Sequence, residues 1–499
     1  MQQKMCQAIN TRYQTNHPHR NLNMIRGSEQ EGTMRRVDEL GIFWLVGHEG
    51  DALSGRLRFD VNDGCTVELV GIFDSKPGDD DSIRIHGWIG SNKVTLENCI
   101  PRRNNRGSTG VQKCEYYANQ LFIGHHFTED EFSLQTAVVE ISDLDTWVGW
   151  RGITDFYGRR GDRNGPSYQM SFEPNQNQEA TFNGGRVAIE NSWTQEGDGV
   201  QEVKFRQWPT LKIAYDEPQN FKVVRRDVGA VQNLLSLCID TPTTMDRLIL
   251  RRPDIRARLL NGEDAGYEQD IELRVPLLRY VDPAGRKPRH PYQMLLTFDE
   301  LGGIGRIAHW LETSKLFQTA LSSMMSVQHA KQMFTENRFL NVAFAAEAFH
   351  RNIYGGAYLE QGEFDALLET LVVNTPDRHR AWLKDKLQHA NQSTLRKRMR
   401  QLAAKAGEAT KPITGNIDQW SFAVAKVRND LTHLGSIPGR YPGGDLRSLS
   451  DSVYAVTRAC MLLECGVPQE VLARSAQSES ALWLSSRVES AVSRVRSSG

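Results

Sequence analysis

Residues whose types and spacing could do chemistry cluster in the stretch 427–433, which reads VRNDLTH. Arg428 and His433 stand there with four residues between them. An RNA phosphodiester can be cleaved by its own 2′-hydroxyl group, which requires proton transfer near pH 7 and neutralisation of the charge that builds on the phosphate. Histidine suits the first task and arginine the second. The pair therefore indicates a possible ribonuclease site.

The spacing alone is weak support for such a site. Arg12 is separated from His17 by the same gap and from His19 by six residues, in a polar segment with no helical pattern. For an isolated Arg-x4-His pattern, a structural explanation is the commoner one. The surroundings of the motif must decide between the two.

The motif lies on a predicted amphipathic helix, because Val424, Val427 and Leu431 recur at helical spacing. Asn429 and His433, four residues apart, share a face of that helix, and Arg428 lies beside it. Asn429 is therefore a candidate supporting residue. The alternative for His433 is a histidine that only stabilises the C-terminal end of the helix.

Composition limits the class of protein. The chain has 499 residues and a formal net charge of −1, so it can form two or three domains, and any attraction for nucleic acid must be local. Its seven scattered cysteines form no C-x-x-C pair, which predicts free thiols in a reducing compartment and no zinc site. We find no apolar signal core and no apolar run of membrane-spanning length. We expect a cytoplasmic protein without a membrane partner.

The first three fifths of the chain favour β-structure. Leu57, Phe59 and Val61 alternate with charged residues, and similar runs follow up to about residue 275. Such short alternating runs predict an antiparallel sandwich or a barrel-like domain. The interval 154–180 is rich in Gly, Asn, Gln and Arg and is interpreted as a long surface loop, although residues 168–172 within it read as a strand-like run.

Beyond residue 300 the pattern is helical and predicts a bundle, which makes the chain an α+β multidomain protein. Gly302, Gly303 and Gly305 precede the first of these helices; a domain junction is favoured there over a phosphate-binding loop. The predicted divisions are a polar arm at 1–35, a β-rich sensor or regulatory domain at 36–305, a connecting helix at 306–330, a helical nuclease domain at 331–475 and a C-terminal tail with a frayed helix at 476–499.

The helical half resembles the HEPN superfamily. The resemblance rests on residues 338–341 (RFLN), 346–351 (AEAFHR) and 427–433, which occur in the family's order. It is greatest to the ApeA-type branch found in bacterial anti-phage defence, and it covers residues 310–475. The β-rich half is similar to the N-terminal domain that accompanies ApeA-type HEPN domains.

This resemblance implies a metal-independent endoribonuclease without a cofactor, in which two copies form one cleft, either as a homodimer or within a higher homo-oligomer. Arg428 and His433 would be the catalytic pair. Glu347 and His350 match the family's position on the earlier helix; Glu347 is a candidate supporting residue or only an i,i+4 partner of Arg351, and a structural role is favoured for His350. ApeA-type proteins resemble abortive-infection effectors that cut tRNA when phage is sensed, which implies RNA, with tRNA foremost, and a phage-derived trigger as partners.

A basic stretch between residues 378 and 411 could contact RNA phosphates, although a solvated helix face is the alternative. The candidate RNA-binding residues are Arg396, Lys397, Arg398 and Arg400. His125 and His126 precede three acidic residues, but neighbours on a strand point to opposite faces, so no metal site is expected. A competing hypothesis for the whole chain is a catalytically silent HEPN-like protein that binds RNA or a nucleotide, or a scaffold.

Overall fold

A computed structural model describes residues 36–73, 83–105, 112–159, 166–259, 261–276, 288–330, 332–433 and 441–497. The predicted N-terminal arm, with Arg12, His17 and His19, lies outside these residues. Within the described ranges, no helix is both long and apolar enough to cross a membrane. The cysteines that the structure describes are free and buried.

The β-rich half begins with a closed six-stranded antiparallel barrel, which confirms the barrel-like prediction. Its strands run in the order β6-β3-β2-β1-β4-β5, and β5 pairs back onto β6. Leu57 and Phe59 point into the barrel core, while Arg56 and Arg58 between them are exposed. The strands are β1 Val37–Leu45, β2 Leu53–Asp60, β3 Gly64–Val70, β4 Ile83–Ile89, β5 Asn92–Asn105 and β6 Lys113–Ile123.

A second group of strands continues from the barrel, because β16 hydrogen-bonds to β6 and extends the sheet in the order β16-β13-β7-β12-β11-β10. A long helix, α2, packs on this sheet through Val224, Val228 and Val231. The elements of this part are β7 Ser133–Ile141, α1 Leu144–Val148, β8 Ile153–Arg159, β9 Pro166–Phe172, β10 Gln178–Phe182, β11 Gly185–Glu196, β12 Lys204–Asn220, α2 Phe221–Ile239, β13 Met245–Arg251, β14 Arg256–Arg258, β15 Asp264–Glu268 and β16 Ile271–Arg274.

The prediction of a long loop at 154–180 was wrong. Strands β8 and β9 form an antiparallel hairpin there, with Ile153 opposite Phe172. Its aromatic side chains are largely exposed, Tyr157 and Tyr168 among them. The alternation of Tyr168, Met170 and Phe172 does indicate the second strand, but residues 153–159 show no such alternation, so the first strand could not be recognised from the sequence.

The C-terminal part of the chain is helical, as predicted. The expected connecting helix at 306–330 consists of α4, a 3-10 turn at Ser314–Phe317, and α5. Gly302 and Gly303 have positive φ angles and form the turn that separates α3 from α4. The helices are α3 Phe298–Leu301, α4 Ile304–Thr313, α5 Gln318–His329, α6 Thr335–Tyr354, α7 Gln361–Val373, α8 Asp377–Leu387, α9 Leu395–Ala406, α10 Lys411–Thr414, α11 Ile417–His433, α12 Gly443–Glu464, α13 Gln469–Ser475 and α14 Glu479–Ser497.

One hydrophobic core joins the second sheet and α2 to the helical bundle, whereas the barrel has a core of its own. Trp310 on α4 is fully buried in the joint core and its indole N–H donates to the Ala230 carbonyl of α2 at 2.8 Å. Arg458 on α12 forms an ion pair with Asp240, at the end of α2. The two halves of the chain are therefore packed together and not merely tethered.

The C-terminal segment is not a tail. Helix α14 buries Val488, Ala491 and Val495 against the bundle, and Arg494 donates two hydrogen bonds, of 2.8 and 2.6 Å, to the Asp445 carboxylate on α12. The expectation of fraying failed because apolar residues recur at i, i+3 and i+7 among the Ser and Arg residues.

Candidate active site

Helix α11 carries the Arg-x4-His motif and is fixed by its apolar face. Trp420, Val424 and Val427 are fully buried, and the Trp420 indole N–H donates to Ser452 Oγ of α12 at 2.9 Å. Residues 429–432 include Asn, Asp and Thr, which form helices poorly. The helix continues through them because the packing of the earlier turns sets its path; the Thr432 hydroxyl donates back to the Arg428 carbonyl at 2.9 Å.

The side chain of Arg428 is about one third exposed and its guanidinium is held from two sides. Its Nη2 lies 3.4 Å from Oε2 of Glu347 on α6, and its Nη1 donates to Oδ1 of Asn429 at 3.2 Å. The other Glu347 oxygen accepts from Nη2 of Arg351 at 3.2 Å. The structure thus brings Arg428, Asn429 and Glu347 together from two separate stretches of the sequence.

His433 is the last residue of α11. The position of its side chain lies outside what the structure describes. On the backbone it stands one turn beyond Asn429, so these two residues occupy the same side of the helix.

Asp430 and Tyr441 were not singled out from the sequence, yet they secure the last turn of α11. The Tyr441 hydroxyl donates to Asp430 Oδ2, and the ammonium group of Lys426 lies 3.6 Å from the same oxygen. The i,i+4 spacing of Lys426 and Asp430 was a visible signal of the ion pair. No local spacing could have revealed Tyr441, which follows a segment of the chain outside the described residues.

His350 has a structural position, one turn beyond Glu347 on α6. It is buried; Nη1 of Arg398 donates to its Nδ1 at 3.0 Å, so the ring proton is on Nε2, which donates to Oε1 of Gln401 at 2.9 Å. Burial lowers the pKa of this imidazole, and the nearby Arg398 charge lowers it further, against the opposing effect of Gln401. His350 is therefore held neutral.

The prediction that Arg398 is part of an RNA-binding surface does not fit its position. The side chain is 2% exposed, and besides His350 its guanidinium donates to the carbonyl groups of Ser393 and Gly355, each at 3.0 Å. A signal was present in the sequence, since Arg398 falls on the apolar face of α9 with Leu395, Met399 and Leu402. Arg398 joins α9 to the end of α6 instead of facing solvent.

The other basic candidates of α9 lie towards the surface. Arg396 is exposed and lies over the ring of Phe422 on α11, 5.3 Å from its centroid. Arg400 is exposed, with Nη1 3.5 Å from Asp418 at the start of α11. Lys397 is partly exposed. Helix α9 packs on α11, so these cations border the helix that bears Arg428.

His125 and His126 belong to an aromatic cluster at the barrel. The His126 ring stacks on His86 with centroids 4.7 Å apart, and its Nε2 bonds to the Gly87 carbonyl at 2.8 Å. Burial lowers the pKa of both His86 and His125 to about 4. Nowhere in the described ranges do three or more His, Cys, Asp or Glu side chains form a group that could hold a metal ion.

Two family models match the chain in the order of its two halves. The model described as ApeA N-terminal domain 1 matches residues 38–310, more than half of the chain, and the model described as Apea-like HEPN matches residues 340–471. The chain belongs to the ApeA-type HEPN proteins of anti-phage defence, and a HEPN domain of this kind indicates a nuclease. HEPN domains commonly work as dimers and bind RNA. Neither the curated proteins nor the solved structures gave a significant match.

Proposed function

We propose that this protein is a metal-independent endoribonuclease that cuts cellular RNA, with tRNA as the foremost candidate, during abortive infection by phage. Arg428 and His433 are its catalytic pair, and Asn429 and Glu347 support them. The observation that carries the proposal is the arrangement of Arg428: its guanidinium contacts the Glu347 carboxylate, and one third of its side chain remains exposed to solvent.

The charges around Arg428 suit a phosphate ligand. The Glu347 carboxylate is shared between Arg428 and Arg351, so the three side chains together carry one net positive charge. A phosphodiester can therefore bind at Arg428 without displacing Glu347. Asn429 is exposed beside it and can hydrogen-bond to a second phosphate or ribose oxygen.

The reaction then needs only proton transfer. A neutral His433 accepts the proton of the ribose 2′-hydroxyl, and the 2′-oxygen forms a bond to phosphorus while the bond to the 5′-oxygen breaks. Arg428 stabilises the negative charge on the non-bridging oxygens in the transition state. A proton donated to the leaving 5′-oxygen completes the step, which yields a 2′,3′-cyclic phosphate and a 5′-hydroxyl end.

The same reaction needs a base and an acid, and one chain offers one His433. A homodimer would supply the second histidine from the other copy. Phe344 supports such an interface, because it is 52% exposed and lies one turn before Glu347 on the same face of α6. RNA would approach over Arg396, Lys397 and Arg400, whose charges are local in a chain of nearly zero net charge.

We further propose that the β-rich domain, residues 36–305, controls the nuclease domain, residues 331–475, in response to a phage-derived trigger. The shared core around Trp310 and the ion pair between Arg458 and Asp240 offer a physical connection. A change in α2 would reach α12 directly, and α12 packs on α6, which carries Glu347.

Purified protein tests this proposal. Wild type and the Arg428→Ala and His433→Ala variants are incubated with total RNA and EDTA, together with an extract of phage-infected cells as the source of the trigger. Arg447→Ala is the matched control, because Arg447 is also a helix-borne arginine paired with an acid. We expect cleavage by the wild type and the control, with 2′,3′-cyclic phosphate ends, and little by the other two. Cleavage that EDTA abolishes, or that both variants retain, would refute the mechanism.

A further inference from the structure

A cleft of about 450 Å³ opens in the β-rich half, between the end of α1, strands β11 and β12 and the segment before the 3-10 turn Pro291–Gln293. Its volume is in the range of small-molecule binding sites. Residues of α6, α9 and α11 take no part in its lining. The cleft is therefore separate from the candidate active site.

Three hydrogen-bond donors around this cleft lack acceptors. They are the indole N–H of Trp208, the amide nitrogen of Asn191 and Nε of Arg289. Nine buried side-chain polar atoms in the described part of the chain have no partner, so one third of them lie at this cleft. Buried donors without partners are costly, and a group of them at one site calls for an explanation.

All three atoms are shielded from solvent, so bulk water does not satisfy them. Arg289 is otherwise held in place, because its backbone N–H donates to Asp143 Oδ1 at 2.9 Å and its Nη2 to the Gln293 carbonyl at 3.3 Å. A ligand that supplies acceptors to these atoms must displace some of the protein atoms that cover them. Binding should therefore alter the surroundings of Trp208.

The lining also offers flat apolar faces and positive charge. Trp150 and Trp208 contribute two indole rings, of which Trp208 has the Arg206 guanidinium over one face, 5.5 Å from the ring centroid. Arg151 and Arg289 contribute two cations. Among the described residues of the lining, Asp145 is the one carboxylate, and it already accepts from the Thr146 backbone N–H at 2.8 Å. Aromatic rings favour a planar partner, and arginines with unpaired donors favour phosphate oxygens.

We propose that this cleft binds a nucleotide, with its base against an indole ring and its phosphates towards Arg289 and Arg151. A free nucleotide and a nucleotide unit in a single strand share this chemistry. The cleft would give the β-rich half a ligand site of its own. Nucleotide binding there does not depend on whether the helical half cleaves RNA.

Binding to the full-length protein tests this inference through tryptophan fluorescence and calorimetry. The probes are ATP, GTP, inorganic tripolyphosphate and a short single-stranded DNA of adenosines, which a ribonuclease does not consume. We expect saturable binding of a nucleoside triphosphate or of the strand, and a change in fluorescence. Because one charge-assisted hydrogen bond is removed, Arg289→Ala should weaken binding by about tenfold or more.

Asn191→Ala is the second variant, since it removes an amide whose nitrogen has no hydrogen bond to lose in the free protein. Arg186→Ala on the same strand is the matched control, because Arg186 is exposed and does not line the cleft. Binding that is weakened in both cleft variants and kept in the control supports the site. The probe that binds shows whether the ligand is a free nucleotide or a nucleotide unit in a single strand. Tripolyphosphate binding as tightly as ATP, no saturable binding by any nucleotide probe, or equal binding by all variants would overturn the proposal.

Discussion

Glu347 and Arg428 are 81 residues apart in the sequence, and their side chains meet at 3.4 Å between α6 and α11. The same carboxylate also engages Arg351, so Glu347 orients the proposed catalytic arginine without cancelling the local positive charge. This ion pair is half-buried, which limits its contribution to stability to about 1 kcal/mol. Loss of this ion pair should therefore affect RNA cleavage more than it affects the stability of the fold.

Glu347→Ala should reduce RNA cleavage roughly 10- to 100-fold, because Arg428 loses the group that orients it. Glu347→Gln keeps an acceptor and should lose less. The matched control is Arg351→Ala, which removes the other partner of Glu347 and leaves its contact with Arg428 in place. Initial cleavage rates measure the effect; higher activity in Glu347→Ala would mean that Glu347 restrains Arg428 instead.

Arg398→Ala should destabilise the helical half by about 2 to 4 kcal/mol, because it leaves His350 and two carbonyl groups without a donor in a buried place. Arg396→Ala, on the exposed side of the same helix, should change stability by no more than about 0.5 kcal/mol. Urea denaturation measures both free energies of unfolding. Equal stability of the two variants would contradict the structural role of Arg398.

RNA binding should depend on the exposed cations of α9, although their replacement changes stability little. Arg396→Ala and Arg400→Ala each remove an exposed cation, so the affinity for RNA should fall. The slope of log K against log salt concentration should become shallower by about one unit for each phosphate that is no longer neutralised. A filter-binding titration at several salt concentrations, with a His433→Ala background to prevent cleavage, gives these slopes. Unchanged slopes would exclude α9 from the RNA surface.

Acid should weaken the barrel through His86. Burial lowers the pKa of His86 to about 4 from 6.5, so between these values the unfolded chain binds more protons than the folded one. The free energy of unfolding therefore decreases as pH falls through this window, by at most about 3 kcal/mol for this residue, and the contribution is fully present above it. His86→Gln, which retains a donor for the Phe127 carbonyl, should unfold with a smaller loss between about pH 7 and about pH 5 than the wild type. The same loss of unfolding free energy in both proteins would contradict the assignment of this pH dependence to His86.

The sequence predicted the two-part architecture because its periodicity is strong where one face of an element is buried. Leu57 and Phe59 alternate on a barrel strand, and Trp420, Val424 and Val427 mark the buried face of α11. Closure of the barrel by pairing of β5 with β6 could not be predicted, because it depends on strand curvature and register over distant parts of the chain.

The candidate site was predictable in part. The resemblance selected Arg428 and Glu347, and the structure brings them into contact. Arg398 was misassigned because a count of basic residues disregards the face on which each one lies, and its guanidinium fills a buried position among carbonyl groups. The cleft at Trp208 depends on residues from distant segments, and no spacing in the sequence brings these together.

Mapping of RNA 5′-hydroxyl ends in cells tests the central claim most directly. Wild type and His433→Ala are expressed to equal levels, with and without phage infection, and the new ends are sequenced. We predict discrete 5′-hydroxyl ends, foremost in tRNA, that arise with the wild type and are absent with His433→Ala. Identical RNA ends and identical growth for the two proteins under both conditions would contradict the assignment of a ribonuclease site to Arg428 and His433.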